Sequence, residues 1–226
     1  MVRRFRKPIG KKVIDVVPNG LSILGLIFGF LSIVSSIEGN YVNGAFFILL
    51  ATVSDGFDGK IARKVNAISD MGAEFDSLSD LVSFGVASAV LLYLHSLQNM
   101  EYGVFIAIIM VVCAALRLAR FNVESSTDYF EGVPTPAFGF FAAGWVVSGL
   151  VLPVSITAGL FVFVALTMIT IIKYPTFKRA GEKTWAYILG IAAILVALIL
   201  LDRRFAVLPY FVYAVGGPFA YKFFGR

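Results

Sequence analysis

Long uncharged runs of apolar residues recur along the chain, parted by short polar breaks. Leu21–Ile37 carries no charge and stops at Glu38-Gly39-Asn40. Gly39–Ser54 is uncharged and runs directly into an acidic stretch. Leu81–Met100 is uncharged apart from any charge on His95, and Tyr102–Leu116 ends at Arg117 and Arg120. Gly132–Ile172 is too long for one span, and Pro153 near its middle splits it in two. Thr184–Leu201 follows, then Phe205–Tyr221, which is interrupted by Pro209, Gly216, Gly217 and Pro218. A spanning helix takes about 20 mostly apolar residues. The pattern therefore predicts an all-α fold, a polytopic integral membrane helical bundle of about eight transmembrane helices.

Composition agrees with that solvent. Of 226 residues 59% are hydrophobic and 15% are charged, and the mean hydropathy is +0.88. A soluble domain carries about 25% charged residues, so a single soluble core is excluded, as are disordered, collagenous and coiled-coil chains. Cys113 is the sole cysteine and His95 the sole histidine, which leaves no internal disulfide and argues against a zinc enzyme with thiolate or imidazole ligands. The net charge of +5 reads as basic loops facing an anionic leaflet, with no nucleic-acid partner. With N- and C-termini both cytoplasmic, eight spans put 17 of the 19 Lys and Arg residues on that side and leave only Arg203 and Arg204 outside. Fewer spans would break this alternation. Residues 1–17 are expected to form a basic interfacial segment with Val13, Ile14, Val16 and Val17 as its apolar part. No clear small-residue cleavage site follows Leu21–Ile37, which is read as a retained span. The chain reads as one domain over 1–226. Its longest polar loops, about 123–133 and 173–183, both fall on the cytoplasmic side.

The informative stretch lies between the second and third spans. Ser54-Asp55-Gly56-Phe57-Asp58-Gly59-Lys60-Ile61-Ala62-Arg63 is followed by Asp70-Met71-Gly72-Ala73-Glu74-Phe75-Asp76-Ser77-Leu78-Ser79-Asp80. An ionised Asp in a bilayer costs at least ~2.5–3.5 kcal/mol, and several together repel one another, so a divalent cation is the natural offset. At about 100° per residue, Asp55, Asp58, Gly59 and Ala62 share one helix face, with Arg63 at its margin. Gly72, Asp76 and Asp80, at steps of four, share a face of the next helix. A turn over Lys64–Met71 makes the two helices antiparallel and points all four carboxylates into one gap. Gly59, Ala62 and Gly72 leave room for close approach, and Arg63 offers a planar fork suited to phosphate. All-oxygen ligands call for magnesium, manganese or calcium. Four carboxylates suffice for two ions about 3.5–4 Å apart, the two-metal arrangement of phosphoryl transfer.

Asp55, Asp58, Gly59, Ala62, Arg63, Gly72, Asp76 and Asp80 fit without a gap the signature Asp-(x2)-Asp-Gly-(x2)-Ala-Arg-(x8)-Gly-(x3)-Asp-(x3)-Asp. In this the chain resembles the CDP-alcohol phosphotransferases, integral membrane enzymes that displace CMP from a CDP-linked lipid or alcohol. The resemblance implies a catalytic six-helix core over 18–172, two additional helices over 184–221, and a homodimer. It implies that Asp55, Asp58 and Asp76 ligate metal and that Asp80 is the general base, also near the second ion. Gly59, Ala62 and Arg63 would contact the CDP diphosphate, and Gly72 and Asn19 are assigned to the CDP-lipid as well.

Three further segments resemble the branch of that family whose acceptor alcohol is L-serine. They are Asp76–Ala87, Arg117-Leu118-Ala119-Arg120-Phe121-Asn122-Val123 and Phe130-Glu131-Gly132-Val133-Pro134-Thr135-Pro136-Ala137. Pro18-Asn19 also fits, so the similarity covers about 18–140. Ser88, where that branch usually has Pro, and Gly25, where Asn is common, depart from it. The implied reaction moves the phosphatidyl group of CDP-diacylglycerol, or of an archaeal CDP-archaeol, to the serine hydroxyl. It would proceed by metal-assisted in-line attack, with the site open to the cytoplasm and to membrane lipid. Serine's carboxylate asks for a bidentate cation; Arg120 is the candidate, Arg117 lies three residues away, and Asn122 can bond either end of the amino acid. The same arginines also satisfy the positive-inside pattern. Two rivals remain. One is a sibling enzyme making phosphatidylglycerol phosphate or phosphatidylinositol phosphate; the other is a divalent-cation transporter, whose site would sit nearer the bilayer midplane. His95 is expected at the far end of its span as an interfacial residue, and Trp145 as packing.

Overall fold

The computed structural model describes residues 16–65, 70–123, 129–175 and 194–224. Helix α1 (Val16–Ile37) turns through Gly39 into α2 (Tyr41–Val65), which carries the second apolar run and the first half of the acidic motif on one unbroken helix. The second half opens α3 (Asp70–Asp80). Directly after Asp80 the helix widens into a π turn, Leu81–Val86, returns to α geometry in α4 (Ala87–Leu92), and widens again over Tyr93–Leu97. Helix α5 (Gly103–Val123) follows, then α6 (Thr135–Ser148) and α7 (Val154–Met168). Gly149 ends α6 in the left-handed conformation, φ 61°, and Pro153 starts α7. These residues stop one helix and begin the next, which is why the long apolar run divides where its proline predicted. A helix over 194–201, which we label α8, a 3-10 turn at Arg203–Val207 and α9 (Leu208–Phe224) complete the described chain.

Gly20–Ile37, Met71–Leu97 and Gly103–Val123 are long and apolar enough to cross a membrane, and α6 and α7 are shorter apolar helices. Large apolar side chains such as Phe30, Phe46, Phe105 and Phe163 stand exposed on the outside of the bundle, as a lipid-facing surface requires. The chain is a membrane-embedded helical protein.

Two features differ from the sequence expectation. The fold is not purely helical: β1 (Tyr129–Glu131) pairs antiparallel with β2 (Lys173–Pro175), in the register Phe130 to Tyr174. These strands lie in the two long polar loops, whose backbone groups satisfy each other where the chain leaves the helices. The last apolar segment is also unbroken. Pro209 falls in the first turn of α9, where its missing N–H costs nothing. Pro218 lies inside the helix and cannot bond the Ala214 carbonyl four residues back. The Tyr174 hydroxyl donates to that carbonyl at 3.0 Å, its ring lies against the bare Cα of Gly217, and it stacks on Tyr213 with centroids 5.4 Å apart. Burial pushes the Tyr174 phenol above its ordinary value.

The turns sort to two ends of the bundle. One end collects Gly39–Asn43, His95 and Val146 around a cleft. There the Trp145 indole donates to Ser96 Oγ at 3.0 Å, and Arg203 lies against Gly149. The opposite end holds the acidic motif, the end of α5 and the β ribbon.

Candidate metal and substrate site

Helix α1 packs along both α2 and the α3 segment, and its small residues set how closely they approach. A Cβ on Gly29 would stand 2.6 Å from Ser83 Cα, and one on Gly25 would stand 3.3 Å from Ser79 Oγ. With the backbones this near, serines on α3 and its π turn bond the α1 main chain. Ser79 Oγ donates to the Ser22 carbonyl at 2.7 Å, and Ser83 Oγ to the Gly25 carbonyl at 2.8 Å. At the mouth of this seam the Ser22 hydroxyl donates to Asp76 Oδ1 at 3.3 Å.

The seam opens into a small cleft lined by Ser22 and Gly25 of α1, Ala51 and Asp55 of α2, and Asp76, Ser79, Asp80 and Ser83. Asp55, Asp76 and Asp80 each offer a carboxylate oxygen within 4.8 Å of the others. At that separation each pair of negative charges repels by about 3–4 kcal/mol at an effective dielectric of about 20. One hydroxyl donated to a charged group returns about 1.5–3 kcal/mol, too little for three such pairs. A divalent cation supplies the missing attraction, and an all-carboxylate donor set of partly buried groups fits a hard one. The sequence-predicted meeting of Asp55, Asp76 and Asp80 is therefore realised in three dimensions.

Asp58, Gly59, Ala62 and Arg63 are helical residues of α2, and Asn19 of α1; their side chains lie outside what the structure describes, as do residues 1–15. Gly72 lies one turn before Asp76 on α3, partly buried.

The expected serine residues separate. Arg117 is buried, 7% exposed, and its charge acts on Asp80 and on Tyr213 of α9. Its Nε has no hydrogen-bond partner among the described residues. Arg120, one turn on, reaches instead to the Thr170 carbonyl with Nη1 at 3.4 Å. Asn122 is exposed and faces α3: it accepts from Ser77 Oγ at 2.9 Å and donates to Glu74 Oε2 at 3.3 Å. His95 sits at the far end of the bundle, edge-on to Tyr41 at 5.3 Å and hydrogen-bonded to Ser96, and Trp145 is buried packing.

Sequence reasoning passed over Ser22, Ser79 and Ser83. Their signal was present as small residues in register, Ser22-x2-Gly25-x3-Gly29 on one helix and Ser79-x3-Ser83 on the other. This is the spacing that lets apolar helices approach backbone to backbone.

Comparison with known proteins identifies the family. Residues 15–200 match the CDP-alcohol phosphatidyltransferase family, and the chain belongs to that family. It is 35% identical over 211 residues to the CDP-diacylglycerol–serine O-phosphatidyltransferase of Methanocaldococcus jannaschii, covering 93% of this chain and 96% of the relative. It is 36% identical over 169 residues to the protein of the same name from Bacillus subtilis, covering 73% and 93%. It is 35% identical over 170 residues to the archaetidylserine synthase of Methanothermobacter thermautotrophicus, covering 74% and 72%. The family is generally dependent on divalent metal, in keeping with the donor set at Asp55, Asp76 and Asp80.

Proposed function

We propose that this chain is a phospholipid-synthesising transferase. It moves the phosphatidyl or archaetidyl group of a CDP-linked lipid to the hydroxyl of L-serine and releases CMP. The observation that carries the reading is the convergence of Asp55, Asp76 and Asp80 in a chain whose relatives are named for this transfer. When bound, one or two divalent cations, magnesium or manganese with calcium as a third candidate, neutralise the diphosphate of the donor. Asp55, Asp58 and Asp76 would hold them, with Asp80 beside the second. Gly59, Ala62 and Arg63 bind the diphosphate, and Gly72 and Asn19 border the CDP-lipid.

Asp80 accepts the proton of the serine hydroxyl. The freed oxygen forms a bond to the lipid-bearing phosphorus, the bond from that phosphorus to the CMP oxygen breaks, and CMP leaves with the electron pair. For the serine carboxylate the geometry favours Arg117. A buried guanidinium whose Nε has no partner among the described residues, in the field of Asp80, is better placed than Arg120, which is drawn toward Thr170, or Asn122, which is engaged by Glu74 and Ser77.

The proposal includes eight spans with both termini and the acidic site cytoplasmic, a six-helix core over 18–172 with two further helices over 184–221, and a homodimer. The sorting of turns supports the even alternation. Gly39–Asn43, His95 and Val146 gather at one end, Arg203 lies beside Gly149 there, and the acids lie at the other. Release of CMP from CDP-diacylglycerol or CDP-archaeol by the purified protein, dependent on serine and abolished by chelation, tests the reading. Equal release with glycerol phosphate or inositol phosphate in place of serine, or full activity in chelator, would overturn it.

A further inference from the structure

Ser22 is bonded to the acidic helix twice over. Its hydroxyl donates to Asp76 Oδ1 at 3.3 Å, and its own carbonyl accepts from Ser79 Oγ at 2.7 Å. It is itself buried, 6% exposed, and it belongs to α1, a helix that contributes no acid to the cluster. A carboxylate turns freely about its last torsion, which has broad wells. The donor that engages one oxygen decides where the other points. Oδ1 is held from the α1 side, and Asp76 offers one carboxylate oxygen to the cluster it forms with Asp55 and Asp80, so the Ser22 bond sets the rotation of the group that meets the ion. The Ser79 bond in turn fixes the height of Ser22 along α3, and Ser83 on the Gly25 carbonyl at 2.8 Å repeats the clamp one turn deeper.

We infer that Ser22 is a positioning residue of the metal centre, the outer partner that orients Asp76 for a divalent cation. The inference rests on the metal-bearing part of the proposed function and not on the identity of the acceptor alcohol. Outer hydrogen-bond partners of metal ligands typically contribute about 10–100-fold to metal affinity. In a carboxylate centre this falls on metal binding first, ahead of any effect on the binding of serine.

The test is direct Mn2+ binding to the full-length protein in nanodiscs, read from the electron paramagnetic resonance signal of free Mn2+ without substrate. Ser22→Ala should weaken Mn2+ binding by about tenfold or more, and Ser22→Thr, which keeps a hydroxyl there, should recover most of the loss. Ser36→Ala is the control. That serine is also buried on the same helix, and its hydroxyl donates to the Ser32 carbonyl at 2.7 Å, at the end away from the acids, so its loss should leave Mn2+ affinity unchanged. Wild-type Mn2+ affinity in Ser22→Ala, or an equal loss in Ser36→Ala, would overturn the inference. Should the wild-type protein bind Mn2+ yet release no CMP on adding serine, the acceptor assignment falls while the Ser22 result still stands on its own reading.

Discussion

The helices around the acidic site and those around the ring cluster of the C-terminal half meet through different side chains. Around the acidic site, α1 meets α3 and the π turn after it through Gly25, Gly29, Ser79 and Ser83, with backbones near enough at Gly29 that an added Cβ would collide. In the C-terminal half, α6, α7 and α9 meet through large rings. Phe141 is fully buried and lies 5.1–6.1 Å, centroid to centroid, from Trp145, Phe161, Tyr210 and Phe211. The difference follows from what each half must do. Main chains in contact leave no slack, and slack of 1 Å at the carboxylates would spoil a metal centre. Rings supply area and edge-to-face attraction while tolerating small shifts. Lipid is as apolar as the ring cluster, so that half is stabilised by packing density and not by expulsion of water.

That contrast can be broken at both ends. Asp80→Asn keeps the shape of the side chain and removes the base, and should cut turnover by about 10²–10⁴-fold while CDP-lipid still binds; CMP release together with equilibrium lipid binding checks it. Phe141→Ala should lower stability by about 3–5 kcal/mol, seen as an earlier thermal transition in detergent, yet leave Mn2+ affinity near wild type. Loss of metal binding in that variant would mean that the two halves are not independent. Arg117→Ala should weaken serine binding by about 1.5–3 kcal/mol, read as a raised KM for serine with the KM for CDP-lipid little changed, while Arg120→Ala should do less. Gly29→Ala places a methyl against the Ser83 backbone and should cost about 1–3 kcal/mol, with metal affinity falling alongside stability because the seam carries the acids. Tyr174→Phe, on the aromatic side, should cost only about 0.5–1.5 kcal/mol in the same melt and leave metal affinity untouched.

The parts legible in the sequence were those fixed by local rules. Spacing along a helix put Asp76 and Asp80 on one face, and Pro153 divided the run into α6 and α7. Uncharged length set the cores of α1, the α3–α4 rod and α5. What stayed hidden was set by contacts between distant segments. Ser22 is an unremarkable serine in an apolar helix until Asp76, 54 residues away, is packed beside it. Arg117 and Arg120 are both arginines one turn apart; only the neighbouring elements bury the first within the field of Asp80 and draw the second to Thr170. The β ribbon is invisible because each strand is three residues long and lacks a period of its own. Pro218 reads as a helix breaker because the group that compensates for it lies in another loop.

That last pair also constrains how such a chain can change over descent. Pro218 leaves the Ala214 carbonyl without its helical partner, and Tyr174 supplies one from 40 residues away. Leaving that carbonyl unpaired costs stability, so a lineage that loses the tyrosine first passes through a weakened intermediate. One that loses the proline first does not, since a residue with an N–H at 218 closes the ladder by itself. The two positions should therefore be inherited as a single character with a preferred order of loss. Sequences with Tyr174 and no Pro218 should outnumber those with Pro218 and no tyrosine.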